Sequence, residues 1–178
     1  MKFLKNFKSF SKDQKGSLGV EFAVLFPMIF GLVAINFDAA VMMLRYTNLE
    51  TALDKTVREV RLHGFPESND NGLAYFKSEI CSHATFIKNC SENIAVEMSP
   101  IDTSAGFTKP ATIQCINRAD NSEPVTEFTP GQQNDAVYVR ACVVIDRVFP
   151  NSLPGIFSSN EEGHVKLVAD TAYVVEPI

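Results

Sequence analysis

The hydrophobic positions of this chain begin with a continuous apolar run of 23 residues, Phe22 to Leu44. Only Asn36 and Asp38 interrupt it with strongly polar side chains. As a helix rising about 1.5 Å per residue, the run measures roughly 35 Å, which exceeds the hydrocarbon core of a bilayer at about 30 Å. The pattern predicts a membrane-spanning helix.

Asn36 and Asp38 oppose that prediction, because an ionisable group at the bilayer centre costs about 2.5–3.5 kcal/mol on the insertion scale. The run contains twelve Phe, Leu, Ile and Val residues, which together favour insertion by about 4–7 kcal/mol. Asp38 also lies about 9 Å from the Leu44 end by helical rise, where water is nearer. We therefore expect the segment to insert.

Beyond this run the pattern changes to that of an amphipathic helix. Apolar residues recur at three- and four-residue steps while charged residues occupy the other faces. The apolar positions are Tyr46, Leu49, Leu53, Val57 and Val60. With Gly64 as the stop signal and Pro66 beyond it, the sequence predicts one helix from Ser17 to about Gly64. Pro27 removes one backbone hydrogen bond, so a bend or a loosened turn is expected there.

The remaining sequence predicts a head of one or two helices against an antiparallel sheet of three or four strands, an α+β fold. Apolar residues on one face predict a second helix over Leu73–Lys88. The predicted strands are Ile94–Ser99, a short candidate at Thr112–Ile116, Ala136–Phe149 and Val165–Val175. Ala136–Phe149 is dense in Val and Ile and is expected to be central. Between the strands we expect a long exposed loop over Asn117–Asn134 and a proline-bounded connection over Phe149–Phe157.

The chain is thus divided into residues 1–16 as a leader, 17–44 as a membrane helix, 45–63 as its continuation and 64–178 as the head. The leader holds five lysines against one aspartate. By the positive-inside rule the N-terminus lies in the cytoplasm, and everything after Arg45 lies outside the inner membrane in a single-pass arrangement. A secretory signal peptide is the alternative, but its apolar region spans only about 7–15 residues and precedes a small-residue cleavage site. Neither feature is present here.

Charge and cysteine usage add two expectations for the outer part. Of 16 Lys and Arg and 21 Asp and Glu, removal of residues 1–16 leaves 11 and 20, a net charge of −9. An acidic exterior argues against nucleic acid as a partner. The four cysteines, Cys81, Cys90, Cys115 and Cys142, all follow the apolar run, and an even number there indicates two disulfides with three possible pairings. We favour Cys81 with Cys90 and Cys115 with Cys142, the first pair because it is close within one helix-to-strand connection; free buried thiols are the alternative.

The junction between leader and apolar run reads Lys15-Gly16-Ser17-Leu18-Gly19-Val20-Glu21. A basic leader, a glycine, a small residue, three neutral residues and a lone glutamate before an apolar helix resemble the processing site of type IV prepilins. The resemblance implies that a prepilin peptidase cuts between Gly16 and Ser17 and leaves Glu21 at the fifth mature position. The apolar helix would then stay in the mature protein, the reverse of a signal peptide.

Glu21 also has a physical reading. Cleavage creates an amine at Ser17, and a carboxylate four residues on lies on the same helical face. When such helices pack in a fibre, both charges need partners, because an unpaired buried charge costs several kcal/mol. Glu21 of one subunit can therefore pair with the amine of the next and set their register. The alternative is that Glu21 only occupies the first helical turn, where the helix dipole favours an acid.

Several segments further resemble TadE-like proteins of the tight adherence pilus system. The matching segments are Val20–Ala23, Leu25–Pro27, Asp38 late in the span, Val139–Cys142, Phe149–Gly155 and Val175–Pro177. The resemblance implies a minor pilin or pseudopilin, of the E-type or the related F-type, that is processed by the dedicated prepilin peptidase. Its partners would be membrane lipid and the other pilins and minor pilins of that machinery, in assembly of a pilus used for surface adherence.

Enzymatic signatures are absent from the sequence: it has no glycine-rich phosphate loop, zinc-protease motif, Cys-x-x-Cys or nucleophile elbow. His63, His83 and His164 are scattered and are not expected to bind metal. We therefore expect no enzyme, no cofactor and no small-molecule substrate. Two alternatives to the pilin hypothesis remain. The first is an unprocessed, signal-anchored binding module that uses the loop Asn117–Asn134, and the second is an anchored enzyme.

Overall fold

A computed structural model describes residues 17–65, 72–102, 115–118, 122, 124, 126–148 and 164–176 of the chain. Its elements are α1 (Ser17–His63), α2 (Gly72–His83), the one-turn α3 (Cys90–Asn93), β1 (Ile94–Pro100), β2 (Ala136–Asp146) and β3 (His164–Val174). A long apolar helix, a second helix and a small antiparallel sheet confirm the predicted α+β class. Gly16 and the rest of the leader, like the whole Phe149–Phe157 connection, lie outside the described residues.

The helix α1 is continuous over 47 residues and runs through Pro27. It ends where the sequence predicts, because Gly64 adopts a φ of 71°, which L-residues with a side chain rarely adopt. The Gly64 N–H still donates to the Val60 carbonyl at 2.8 Å and closes the last turn. The bend expected at Pro27 stays a prediction.

The sheet has the order β1-β2-β3, with both pairs antiparallel, so β2 is the central strand as predicted. Its burial follows from that position, since all residues from Val137 to Ile145 are buried. β2 ends at Asp146, three residues before the predicted end, and β3 lies within one residue of its predicted range.

One face of the sheet packs against α1 and α2. The predicted apolar stripe of α1 faces this core: Leu49, Leu53, Val57 and Val60 are buried, and Tyr46 packs at its edge. Phe76 and Ile80 of α2, and alternate residues of β2 from Val137 to Ile145, complete the core. The second half of α1 is therefore the main helix of the head.

One predicted boundary in the first part of the head is wrong, and one predicted strand lies mostly outside the described residues. The second helix ends at His83 and not at Lys88. The chain turns after Ala84, and Asn89 adopts a left-handed φ of 50°, which cannot continue a right-handed helix. Of the short strand expected at Thr112–Ile116, the structure describes only residues 115 and 116, and neither is in a strand.

The segment Asn117–Asn134 is also less exposed than its composition predicts. Two of its described residues form backbone hydrogen bonds with Met98 of β1. The Met98 N–H donates to the Glu127 carbonyl, and the Thr129 N–H donates to the Met98 carbonyl, each at 2.8 Å. Phe128 is half-buried, with its ring 5.9 Å from that of Phe65 and 6.2 Å from that of Phe76. Polar composition predicted a loop, but one aromatic side chain brings it onto the core.

Candidate functional site

The first half of α1 presents its apolar side chains to the outside. Among the described residues, one helix is long and apolar enough to span a membrane, with a mean hydropathy of 2.0 over its best window and almost none of that window buried. The exposed apolar side chains are Val20, Phe22, Val24, Leu25, Phe26, Met28, Ile29, Phe30, Leu32, Val33 and Phe37. We call residues 17–37 the stem; at about 1.5 Å per residue it measures about 31 Å, one bilayer core.

Aromatic rings give one side of the stem a continuous surface. Phe22, Phe26 and Phe30 follow one another at four-residue steps, with ring centroids 5.4 Å and 5.9 Å apart. Side chains at this spacing lie on one helical face. Such a ridge has contacts to offer only to lipid or to another apolar helix, because no described part of the head covers it.

Of the predicted processing and register residues, Ser17 and Glu21 lie in the first described turns of the stem. Ser17 is the first described residue of α1, and Glu21 is the fifth. Glu21 is exposed and has no hydrogen bond or ion pair to any described residue. The dipole effect fades within the first turn, and no acid lies in the first described turn of α1. Both roles considered for Glu21, pairing with a neighbouring subunit and interaction with the helix dipole, stay predictions.

The two polar residues of the apolar run have different surroundings. Asn36 is exposed, and its Nδ2 donates to the Leu32 carbonyl one turn back at 2.8 Å. Asp38 is only 6% exposed, and its Oδ1 accepts a hydrogen bond from the Val148 N–H at 3.0 Å. Asp38 therefore contacts the head, two residues beyond β2, and marks the point where α1 leaves the stem.

Arg45, seven residues beyond Asp38, holds the same part of the head. Its Nη1 donates to the Asp146 carbonyl at 2.7 Å. The side chain of Asp146 makes further contacts: its Oδ1 accepts a hydrogen bond from Arg118 Nη1 at 2.6 Å and lies 2.7 Å from His164 Nδ1. The end of β2 is thus fastened to α1, to the segment at residue 118 and to β3. No local sequence pattern signals this cluster, since its members are far apart in the chain.

Arg118 is fixed by two more hydrogen bonds. Its Nε donates to Asn93 Oδ1 at 2.6 Å, and its Nη2 donates to the Val144 carbonyl at 2.8 Å. A pocket of about 330 Å³ opens beside these groups at the junction of stem and head. We call it the junction pocket. Its described lining residues are Arg45, Lys88, Arg118, Ile145, Asp146, Arg147 and Val148. Sequence reasoning did not identify this pocket.

Arg140, unlike Arg45 and Arg118, is buried inside the sheet. Arg140 of β2 is 2% exposed and lies in register between Glu97 of β1 and Asp170 of β3. Its Nη1 is 3.6 Å from Glu97 Oε2, and its Nη2 donates to the Tyr138 hydroxyl at 2.9 Å. Acids on both neighbouring strands and a phenol hydroxyl offset the cost of burying this charge. The group is paired within the protein, so we assign it to stability.

The disulfide prediction is confirmed in both pairs. Cys81 bonds to Cys90 and joins the end of α2 to α3. Cys115 bonds to Cys142 and ties the segment before Arg118 to the centre of β2. None of the four cysteines is left as a free thiol.

Three side chains between α1 and α2 have ligand atoms close enough to share a metal ion. They are Glu59, Glu79 and His83, with ligand atoms within 4.8 Å of one another. His83 Nε2 already lies 3.3 Å from Glu79 Oε1 as an i,i+4 pair. Burial, followed by the charges of Glu79 and Glu59, raises the pKa of the nearby Tyr75 hydroxyl. The contact between His83 and Glu79 is an i,i+4 pair on one helix face, and the expectation that His83 binds no metal stays a prediction.

Comparison with protein-family models, curated proteins and solved structures gives no match. The structure by itself defines a class: a disulfide-bonded α+β head carried on a single apolar helix that is long enough to cross a membrane.

Proposed function

We propose that this chain is a TadE-like minor pilin or pseudopilin, processed by a prepilin peptidase and assembled with other pilins into a pilus for surface adherence. The observation that supports this most is the form of α1. Its first half is uncovered and apolar, and directly follows a prepilin-like junction at Gly16 and Ser17. Its second half is the central helix of the head.

Continuity of α1 matters for assembly. A tether that only holds a module at a membrane needs no rigid connection to the module. Here the same 47-residue helix carries the stem and the core residues Leu49, Leu53 and Val57. A stem that packs into a helical fibre would therefore fix the orientation of its head as well. In this proposal the N-terminus lies in the cytoplasm and the head outside, where an oxidising compartment suits two disulfides.

Glu21 sets subunit register in this proposal. It is exposed, in an apolar surface that would be buried in a bundle of stems, about 6 Å along the helix from Ser17. A new amine at Ser17 of a neighbouring subunit supplies the opposite charge that a buried carboxylate requires. Pro27 supports the same proposal, because a missing hydrogen bond lets the stem bend as it leaves the bilayer.

The processing step is tested by N-terminal sequencing of the mature protein from cells with an active prepilin peptidase. We expect the sequence to begin at Ser17. The same protein from cells that lack the peptidase is the control and should begin at Met1. An intact Met1 end in both would contradict the proposal and favour the unprocessed, anchored binding module.

The register role is tested by Glu21→Ala. The matched control is Asp54→Ala, which removes a carboxylate from an exposed position in the second half of α1. We expect Glu21→Ala to leave membrane insertion and cleavage intact and to abolish filaments, counted by electron microscopy. Asp54→Ala should leave filaments unchanged. Normal piliation of Glu21→Ala would remove the role assigned to this carboxylate.

The anchored binding module has less support from the head. Its expected ligand loop, Asn117–Asn134, uses Phe128 to pack on the core and Arg118 to bind Asp146. Those described residues of the loop are therefore engaged in holding the fold.

A further inference from the structure

The junction pocket has a charge opposite to that of the molecule around it. The whole chain has a formal net charge of −5. The described lining contains four cations, Arg45, Lys88, Arg118 and Arg147, against the single carboxylate of Asp146. Four minus one leaves a local formal charge of +3 in a concave surface, which concentrates the positive field and attracts an anion.

Part of this positive charge is held in place before any ligand arrives. Arg45 and Arg118 are fixed by hydrogen bonds to the Asp146 and Val144 carbonyls and to Asn93. Lys88 is exposed on the turn after α2 and has no hydrogen bond to any described residue. Arg118 also pairs with the Asp146 carboxylate at 2.6 Å, so the positioned guanidinium group of Arg45 and the ammonium group of Lys88 supply most of the attraction. Together they suit a phosphate, which accepts several charge-assisted hydrogen bonds at once.

The height of the pocket along α1 matches the surface of a bilayer. If the stem fills the hydrocarbon core, Asp38 lies at its edge, and Arg45 follows about 10 Å further along the helix. The headgroup layer adds roughly 5–8 Å beyond the core on each side. A long arginine side chain easily covers the difference, so the pocket lies at the level of lipid phosphates.

Exposed apolar side chains that neighbour the pocket's cations in the chain also suit a membrane surface. Met43 and Leu44, next to Arg45 on α1, are 68% and 57% exposed. Phe86, close to Lys88, is 63% exposed, and its backbone N–H is tied to Asn48 of α1 at 3.2 Å. Cations flanked by exposed aromatic and aliphatic side chains are typical of protein surfaces that touch the headgroup region. A soluble acidic partner would leave these apolar groups in water.

We propose that the junction pocket binds the phosphate of an anionic phospholipid and so fixes the head against the membrane surface. The proposal rests on the proposed membrane span of α1, and it does not depend on leader cleavage or on filament assembly. In the cell, this contact would hold an unassembled subunit upright in the bilayer and be given up when the subunit enters a fibre.

The test uses the purified full-length chain in a neutral detergent. Dissociation constants are measured for short-chain phosphatidylglycerol and for phosphatidylcholine with the same acyl chains. We expect phosphatidylglycerol to bind at least tenfold more tightly, and added salt to weaken it, because the difference between the two lipids is net charge. Equal binding of the two lipids would overturn the proposal.

Variants locate the binding. Lys88→Gln leaves the described hydrogen bonds intact and should weaken phosphatidylglycerol binding about fivefold, with Arg45→Gln weakening it at least as much. Lys55→Gln and Arg58→Gln remove the same charge from exposed positions of α1 and should change binding less than twofold. Circular dichroism checks that each variant folds. An equal loss in the control variants would show attraction by overall charge and overturn the assignment to this pocket.

Inorganic phosphate and glycerol 3-phosphate separate a lipid site from a soluble-anion site. Both should bind far more weakly than phosphatidylglycerol, because they lack acyl chains to meet Phe86 and Leu44. Binding as tight as the lipid's would overturn the lipid assignment.

Alkaline extraction of membranes tests the membrane span of α1 separately. If the chain stays in the membrane but does not bind phosphatidylglycerol, only the lipid pocket is refuted. An uncleaved Met1 end refutes pilin processing and leaves the lipid result intact.

Discussion

Asn36 and Asp38 are two residues apart on one helix, but among the described residues only Asp38 forms a side-chain hydrogen bond to the head. The amide of Asn36 donates to its own helix at Leu32. The carboxylate of Asp38 accepts from Val148, 110 residues away in the chain. Local sequence predicts both as intramembrane polar residues, whereas the tertiary structure shows that the head begins at Asp38.

We expect Asp38→Ala to lower the free energy of unfolding of the head by about 1.5–3 kcal/mol, because it leaves the Val148 N–H without its charged acceptor. Denaturant unfolding in neutral detergent measures the change. Asp38→Asn retains an acceptor oxygen and should cost less. Asn36→Ala is the control and should stay within about 0.5 kcal/mol of the wild type. An equal effect at both positions would show that Asp38 does not hold the head.

Tyr173 makes the head sensitive to alkaline pH. Burial raises the pKa of its hydroxyl above the ordinary value. Above about pH 10 the unfolded chain loses this proton while the folded chain keeps it, so stability is complete below that pH and falls as the pH rises further. We expect Tyr173→Phe to reduce this alkaline loss, measured as the free energy of unfolding against pH. Parallel curves for variant and wild type would contradict the assignment.

At the scale of elements, the two disulfides constrain the unfolded chain to different extents. Cys81–Cys90 closes a separation of 9 residues and Cys115–Cys142 a separation of 27. The chain-entropy relation gives about 2.5–3 kcal/mol for the first and about 3.5 kcal/mol for the second. Cys→Ser replacement of each pair, followed by denaturant unfolding, should show the larger loss for Cys115 and Cys142. The reverse order would indicate that strain or residual structure dominates.

The boundaries of the helices and strands show where the local sequence pattern is sufficient to predict the structure. The apolar stripe and Gly64 predicted the length of α1, because a helix face and its C-terminal stop are both local properties. The end of α2 was missed, since the turn at residues 84–89 depends on the Cys81–Cys90 bond and on the left-handed Asn89. The described residues of Asn117–Asn134 lie outside the helices and strands, as predicted, but the packing of Phe128 on the core was missed because that contact depends on the tertiary fold.

At the scale of the whole molecule, the head extends further down α1 than the apolar run suggests. The run ends at Leu44, but Asp38 and Met42 are already buried against the head. We expect a fragment beginning at Asn36 to fold as a head. A fragment beginning at Thr47 lacks Asp38, Met42 and Arg45 and should be less stable by about 3–5 kcal/mol. Equal unfolding midpoints for the two fragments would place the boundary after Arg45.

The sequence by itself determined the class of the molecule. A long apolar run, an amphipathic continuation, four cysteines and alternating strands specify a stem and an α+β head, because each is a periodic or compositional property of neighbouring residues. It also favoured the disulfide pairing and the central place of β2 that the structure has. The prepilin-like junction at Gly16 and Ser17, with Glu21, is likewise local, and its role stays a proposal.

Only the tertiary structure decided how stem and head are joined. Asp38 and Arg45 reach residues 146–148 across more than 100 positions of sequence, and the four cations of the junction pocket come from four separate segments of the chain. Contacts of this kind depend on where the folded backbone places each side chain, and no periodicity encodes them. The pocket exists because α1 continues beyond the stem and the sheet ends beside it.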